Sequence, residues 1–367
     1  MIGVLSGLAL HVPFMIFLTG AFVIGKGVLF AWAIAQLDWT ERHLRVAARV
    51  GGVLVVLCLV ATAVNLAVPG AWNAVMSTDP NAVESRSFLP SLLGPFTHPI
   101  DLGQFMTLSA VAVAAWRTAV GKTAFTLLLL VGTAFGALAS ARRTAIGSLV
   151  VAWLWVQARV RSTAVLLTVA PVALVVLAGP LATVARVTYD DYLGVGNREA
   201  RTVLTVDSFG VAADHFPGGA GFGRFGSAVA AESYSPEYVA RHYPYVWGLG
   251  RTAEDGRFLT DTEWPAVLGE TGFFGALAFA LGMVAIHRMG KRLWTSGRTP
   301  VVRWAGLMTM GWLVACLVQS VATVSFTGPP VFGVFFGLVG VVTALSDNGA
   351  DPPAADAGKV EARATPT

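Results

Sequence analysis

The chain has 367 residues, 55% of them hydrophobic and 13% charged, with a formal net charge of +4. That balance and a mean hydropathy of +0.67 exclude an ordinary soluble globular domain and predict a polytopic membrane protein. The basic excess sits in short loops between apolar runs, so topology accounts for it and it does not call for a nucleic-acid partner.

A spanning helix needs about 20 mostly apolar residues. The expected fold is therefore an all-α transmembrane bundle of about nine spans, with eight to ten as the range, at 12–36, 48–68, 101–119, 123–140, 144–158, 163–184, 262–286, 304–324 and 328–346. Residues 2–36 form one apolar run interrupted only by His11 and Lys26, which allows one long helix with a stub or two short ones. The start "MIGVLSGLAL" has no basic n-region and reads as a retained helix. Cys58 and Cys316 both fall in apolar spans, so neither a disulfide framework nor a cysteine metal site is expected.

The segments "TERHLRVAAR" (40–49), "RTAVGK" (117–122), "QARVR" (157–161) and "HRMGKRLWTSGRTPVVR" (287–303) fall on one side of this nine-span topology. Their Lys/Arg excess makes that side cytoplasmic. The chain then divides into N-terminal transmembrane helices (1–184, with a first outer loop at 69–100), a large extracytoplasmic loop between spans six and seven (185–261), C-terminal transmembrane helices (262–346) and a Pro/Ala/Asp-rich cytoplasmic tail (347–367) expected to be disordered. A loop as long as 185–261 is normally functional or folded in its own right.

Two motifs invite a nucleotide reading and fail it. "FPGGAGFGRFG" (216–226) holds Gly221, Gly223 and Gly226 in the spacing G-x-G-x-x-G, but no strand precedes it and no βαβ unit surrounds it. "GKT" (121–123) has Trp116 where a P-loop needs glycine, and reads as a cytoplasmic turn. The six histidines show no i, i+4 pair, so no metal and no cofactor is expected.

Three outer-face features could carry chemistry. Arg142 and Arg143 stand at the outer end of span four, against the positive-inside trend, where they either snorkel into headgroups or grip a phosphate bidentately. Arg198, Arg201 and Arg224 recur in the large loop, which carries a helical pattern over 198–214, and they suit either lipid phosphates or a substrate phosphate. Asp261, Glu263 and Glu270 lead into span seven; Asp261 could serve as an N-cap, whereas a carboxylate as deep as Glu270 is costly to bury and tends to be functional. The aromatics of "SYSPEYVARHYPYVW" (233–247) suit sugar faces or the membrane interface equally.

Taken together, "SARRTAIGSLVV" (140–151), "DHFPGGAGFGRFGS" (214–227), "DTEWPAVLGETGFFGALAF" (261–279) and "GPFTHPIDLGQF" (94–105) resemble motifs of the O-antigen polymerase and O-antigen ligase superfamily, over about residues 40–345. Ile100 stands where that family's G-x-F-x-H-P-N pattern has Asn. The resemblance implies a metal-independent membrane glycosyltransferase in the bacterial inner membrane, with its active face outside the cytoplasm. Such an enzyme takes a glycan from a polyprenyl-pyrophosphate carrier and passes it to an acceptor hydroxyl on a glycan, lipid or protein, with membrane lipids but no nucleic acid or nucleotide as partners.

On that reading Arg143 holds the pyrophosphate, with Arg142, Arg198, Arg201 and Arg224 as further clamps, and Gly221 and Gly223 bring backbone close to the substrate. His98 either contacts the glycan or orders the first outer loop. Asp261 is the candidate base and Glu263 and Glu270 are its rivals. Ligases of the family tend to carry His where Asp261 and Thr262 stand, so this chain leans toward a polymerase or a divergent ligase. The chemistry agrees with the residues: arginines preorganised at a low-dielectric boundary stabilise a departing pyrophosphate without a metal, and a carboxylate takes the acceptor's proton. The rival reading is a transporter or flippase of lipid-linked glycans, for which inverted repeats and broken helices are the usual signs.

Overall fold

The structure, a computed structural model, describes residues 6–7, 10–77, 91–160, 200–252 and 254–347. The expected sixth span (163–184), Arg198, most of the first outer loop and the tail from 348 lie outside the described residues. Every element among those described is helical.

The N-terminal apolar run is a stub followed by one helix: residues 6–7 are helical, His11 adopts φ 52°, and α1 (Phe14–Ala35) begins after Pro13. α2 (Glu41–Ala67) starts on a capping box in which Thr40 accepts from the His43 amide and the His43 ring accepts in return. Pro69 at its first position lets α3 (Pro69–Met76) start immediately after α2. α4 (Pro99–Ala119), α5 (Ala124–Ala139) and α6 (Arg143–Val160) follow, then α7 (Ala200–Asp214), the short α8 (Ala228–Glu232) and α9 (Pro236–Ala240), and the long helices α10 (Glu263–Ser296), α11 (Pro300–Gln319) and α12 (Val331–Asp347).

Four of these, α1, α2, α10 and α11, are long and apolar enough to cross a membrane, and α5 and α12 are apolar but shorter. α4 and α6 have the length but carry polar residues inward, among them Gln104, Thr107, Ser109 and Ser148, all buried. Large apolar side chains stand exposed along α1 (Phe14, Phe22, Trp32), α2 (Val53, Leu57), α5 (Leu128, Phe135) and α10 (Leu277, Leu281). Exposed apolar area on that scale suits hydrocarbon rather than water.

α11 is the central post, with 72% of its apolar stretch buried against 17% for α1. It runs antiparallel to α4: Trp304 meets Trp116 at 5.1 Å, and the Trp304 and Trp312 indoles donate to Ala112 O (2.9 Å) and Leu108 O (2.7 Å). α10 and α11 cross where Gly306 faces the Gly290 carbonyl, a small-residue contact that brings two backbones together. α12 lies along α1, with Phe336 over Gly27 and Gly340 against Ala31 O. These directions gather the basic segments around 40–49, 117–122, 157–160 and 287–303 at one end of the bundle.

At the other end, residues 200–252 and 254–262 form a folded cap rather than an open loop. α7 turns Leu204, Ser208 and Val211 inward and leaves Val206 and Phe209 exposed. The buried side packs with Phe225, Tyr238, Tyr243, Leu249 and Leu259 into a core separate from that of the bundle. Tyr238 and Tyr243 stack at 5.3 Å, and Tyr243 donates to Asp207 at 3.0 Å.

Candidate functional site

The cap is joined to the bundle by its glycine loop. α10 is interrupted at Gly272, where φ is 65° and ψ −172°, a conformation closed to residues with a side chain. The break frees carbonyls in the turn before it that an unbroken helix would use internally, and the loop supplies their partners: Ala220 N donates to Gly269 O (2.8 Å) and Gly221 N to Glu270 O (3.1 Å). A Cβ on Gly272 would lie 2.5 Å from Pro217 O, and one on Gly219 would lie 2.5 Å from Gly272 N. Gly223 sits against Ile16 and Gly20 of α1. Gly221 and Gly223 are thus in contact with protein backbone on α10 and at the α1 end.

Glu270 serves the same seam. It is fully buried, and its Oε1 accepts from Ser227 Oγ (2.5 Å) and from Phe225 N (3.2 Å). Arg224 of the loop belongs to an ion cluster that the sequence did not announce: Glu237, nearly buried, meets Arg224 (3.4 Å), Arg241 (3.1 Å) and His215 (3.1 Å), and Arg241 also reaches Asp214 (2.7 Å). Burial first, and then the Asp207 carboxylate beside it, push the Tyr243 phenol well above its usual range, so it remains a proton donor.

Glu263 is buried at the start of α10. Its Oε2 accepts from Phe326 N (3.0 Å), its Oε1 from Thr327 Oγ1 (2.9 Å), and its own amide donates to Ser320 O (3.3 Å). It ties α10 to the chain between α11 and α12. His98 is the N-cap of α4, its Nδ1 accepting from Ile100 N at 3.1 Å.

Asp261 differs from the two glutamates in being 28% exposed at its side chain. Arg201, 23% exposed, donates to Asp261 Oδ2 through both Nε (2.9 Å) and Nη2. The guanidinium lies 5.0 Å from the centre of the Phe258 ring. Two of the expected site residues, 60 positions apart in the chain, are therefore brought together.

Arg142 and Arg143, both half-buried, open α6 after a tight turn at Ala141 (φ 51°). Five residues further on, Ser148 Oγ accepts from Gln319 Nε2 (3.0 Å). Ser320 next to it accepts from Trp264 Nε1 (3.0 Å), and Gln104 of α4 donates to Thr323 (2.8 Å) and Ser325 (3.3 Å). The starts of α4, α6 and α10 thus meet around the end of α11. Gln319 Oε1 and Thr262 Oγ1 are buried in this junction with no hydrogen-bond partner among the described residues. Buried polar groups are normally paired, and Glu270 Oε2 on the cap seam shares this unpaired state. Sequence reading missed Gln104, Ser148 and Gln319, although a glutamine in an apolar helix is by itself a signal.

Among the described residues no three His, Cys, Asp or Glu side chains gather as a metal ion would require. No protein-family model and no curated protein matches this chain.

Proposed function

We propose that the protein transfers a glycan from a polyprenyl-pyrophosphate carrier to an acceptor hydroxyl at the outer leaflet, as a polymerase or ligase of the O-antigen type. The observation that carries this reading is the partly exposed Arg201–Asp261 pair at the end of the bundle that also bears Arg142 and Arg143, and not the basic segments. In the step, the acceptor oxygen attacks the anomeric carbon, the bond from that carbon to the carrier's phosphate oxygen breaks, and the acceptor proton goes to Asp261. The polyprenyl pyrophosphate leaves with the bonding pair, and Arg143 and Arg142 stabilise its charge.

Arg201 donates to Oδ2 of Asp261 through Nε and Nη2, which orients the carboxylate with Oδ1 as the atom that takes the proton. Glu263 has both carboxylate oxygens bonded to the chain between α11 and α12, and Glu270 holds the glycine loop through Oε1 while its Oε2 is buried with no hydrogen-bond partner among the described residues; both act on this reading as positioning residues. Arg224, held by Glu237, positions the cap.

The test is a glycan-assembly assay at matched expression. Arg143→Ala is expected to lower transfer by about 10²–10³-fold, the scale of losing one preorganised donor to a developing charge, with Arg143→Lys in between. Asp261→Asn is expected to abolish turnover while carrier binding persists. Wild-type yield in Arg143→Ala and Arg143→Lys would sink the reading.

One observation favours a second reading, a flippase: α10 is broken, as helices of transporters often are. Its freed carbonyls, however, are taken by Ala220 and Gly221, and are closed to a passing substrate. Purified protein that moves a lipid-linked glycan across vesicles and forms no product would favour that second reading.

A further inference from the structure

Trp247 and Tyr245 stand 67% and 87% exposed on the cap, an unusual placement for two large aromatics in a folded unit. Trp247 is nevertheless held in place. Its ring lies 5.3 Å from Phe258 and 5.0 Å from the Arg257 guanidinium, which also borders Phe258 at 5.5 Å. Backbone fixes the arrangement: Phe258 N donates to Gly248 O (3.0 Å) and Gly250 N to Asp255 O (2.8 Å), closing the turn. Gly248, at φ 83°, lets Phe258 lie against the backbone next to Trp247, since a Cβ there would meet the ring at 2.3 Å.

Phe258 also borders the candidate site, because Arg201, bonded to Asp261, lies 5.0 Å from the same ring. The exposed Trp247 face and the Asp261 carboxylate are therefore separated by one aromatic ring and one guanidinium, about two ring contacts.

We propose that Trp247, flanked by Tyr245 and Arg257, is a stacking shelf for the pyranose rings of the glycan that reaches Asp261. The electron-rich face of an indole packs on the C–H face of a sugar ring, and Arg257 offers donors to sugar hydroxyls or carboxylates. A role as membrane anchor fits the surroundings less well. The neighbouring exposed segment carries Glu254 and Asp255 as well as Arg251 and Arg257, so it has no net positive charge with which to attract an anionic lipid surface.

The identity of the ligand rests on the proposed glycan transfer, so the test reads binding and not turnover. Full-length protein in lipid nanodiscs is titrated against an array of neutral and uronic-acid-bearing oligosaccharides. The wild type is expected to bind at least one member, Trp247→Ala to bind it roughly tenfold more weakly, and Trp247→Tyr to stay within about threefold of wild type. Binding of no member by the wild type, or equal affinity in wild type and Trp247→Ala, overturns the shelf. So does quenching of the Trp247 emission, taken as wild type minus Trp247→Tyr, by lipids brominated in their tails. Shelf binding without transfer breaks the transferase reading alone, and transfer with unaltered glycan affinity in Trp247→Ala breaks the shelf alone.

Discussion

The bundle and the cap are built on opposite terms. In the bundle, the outward faces of α1, α2, α5 and α10 stay apolar and exposed, the inward faces bury an apolar core, and close backbone approach at Gly290 and Gly306 and indole bonds to helix carbonyls add to what joins helix to helix. Helices in hydrocarbon gain little from burying apolar surface against each other, so packing and hydrogen bonds decide. In the cap, aromatic residues fill a small core, and a nearly buried glutamate gathers two arginines and a histidine. The difference teaches why their junction is made of glycine, backbone hydrogen bonds and the one buried carboxylate of Glu270: the broken turn at Gly272 must have its carbonyls satisfied, and the loop amides must find acceptors.

Gly272→Val attacks that junction directly and is expected to have the largest structural effect. The strained φ and the contact with Pro217 O together cost about 3 kcal/mol or more, read as earlier thermal unfolding in detergent and as protease cleavage between 200 and 262. Cleavage confined to that region with an intact bundle would sharpen the contrast, and an unchanged melting curve would break it. Glu270→Leu is next, at about 2–3 kcal/mol, because Ser227 Oγ and Phe225 N are left buried without an acceptor. Glu270→Gln keeps an acceptor and is expected to keep transfer activity; abolished transfer with unchanged stability would make Glu270 a catalytic residue instead of a support. Within the bundle, Trp312→Phe removes one indole bond to Leu108 O and is expected to cost about 1 kcal/mol, measured by unfolding and leaving cleavage of the cap as in the wild type.

Hydropathy located the long helices well, and the errors fall at their ends. The expected span 48–68 begins at Glu41 because Thr40 and His43 form a cap, and 304–324 begins at Pro300 because Thr299 accepts from the Val302 amide. Span seven extends to Ser296, through residues read as a basic loop, since nothing in "HRMGKRLWTS" stops a helix before Gly297. The helical pattern over 198–214 was legible and appears as Ala200–Asp214. Of nine expected spans, four meet the length and apolarity of a crossing helix among the described residues. α4 and α6 fall short because the charged residues at their ends (Asp101 and Arg117, Arg143 and Arg159) and polar residues such as Gln104 lower the mean hydropathy of the helix.

The candidate site divides in the same way. Arg142, Arg143, Arg201, Asp261, Glu263 and Glu270 stood out as charges beside or inside apolar runs. Their partners did not, since Arg201 meets Asp261 across 60 residues and Gln319 meets Ser148 across 171. Glu237, which holds Arg224, Arg241 and His215, carries no local mark at all.

The amino-acid sequence alone determined that this chain folds as apolar helices, and where its charged residues lie along them, because hydropathy and charge are sums over neighbouring residues. Only the tertiary structure decided that the glycine loop closes a broken helix, that Glu263 binds the chain between α11 and α12 while Glu270 binds the glycine loop through one oxygen, and that Asp261 is the carboxylate left partly open beside Arg201. Those assignments depend on hydrogen bonds between distant segments, whose length and direction no local pattern encodes.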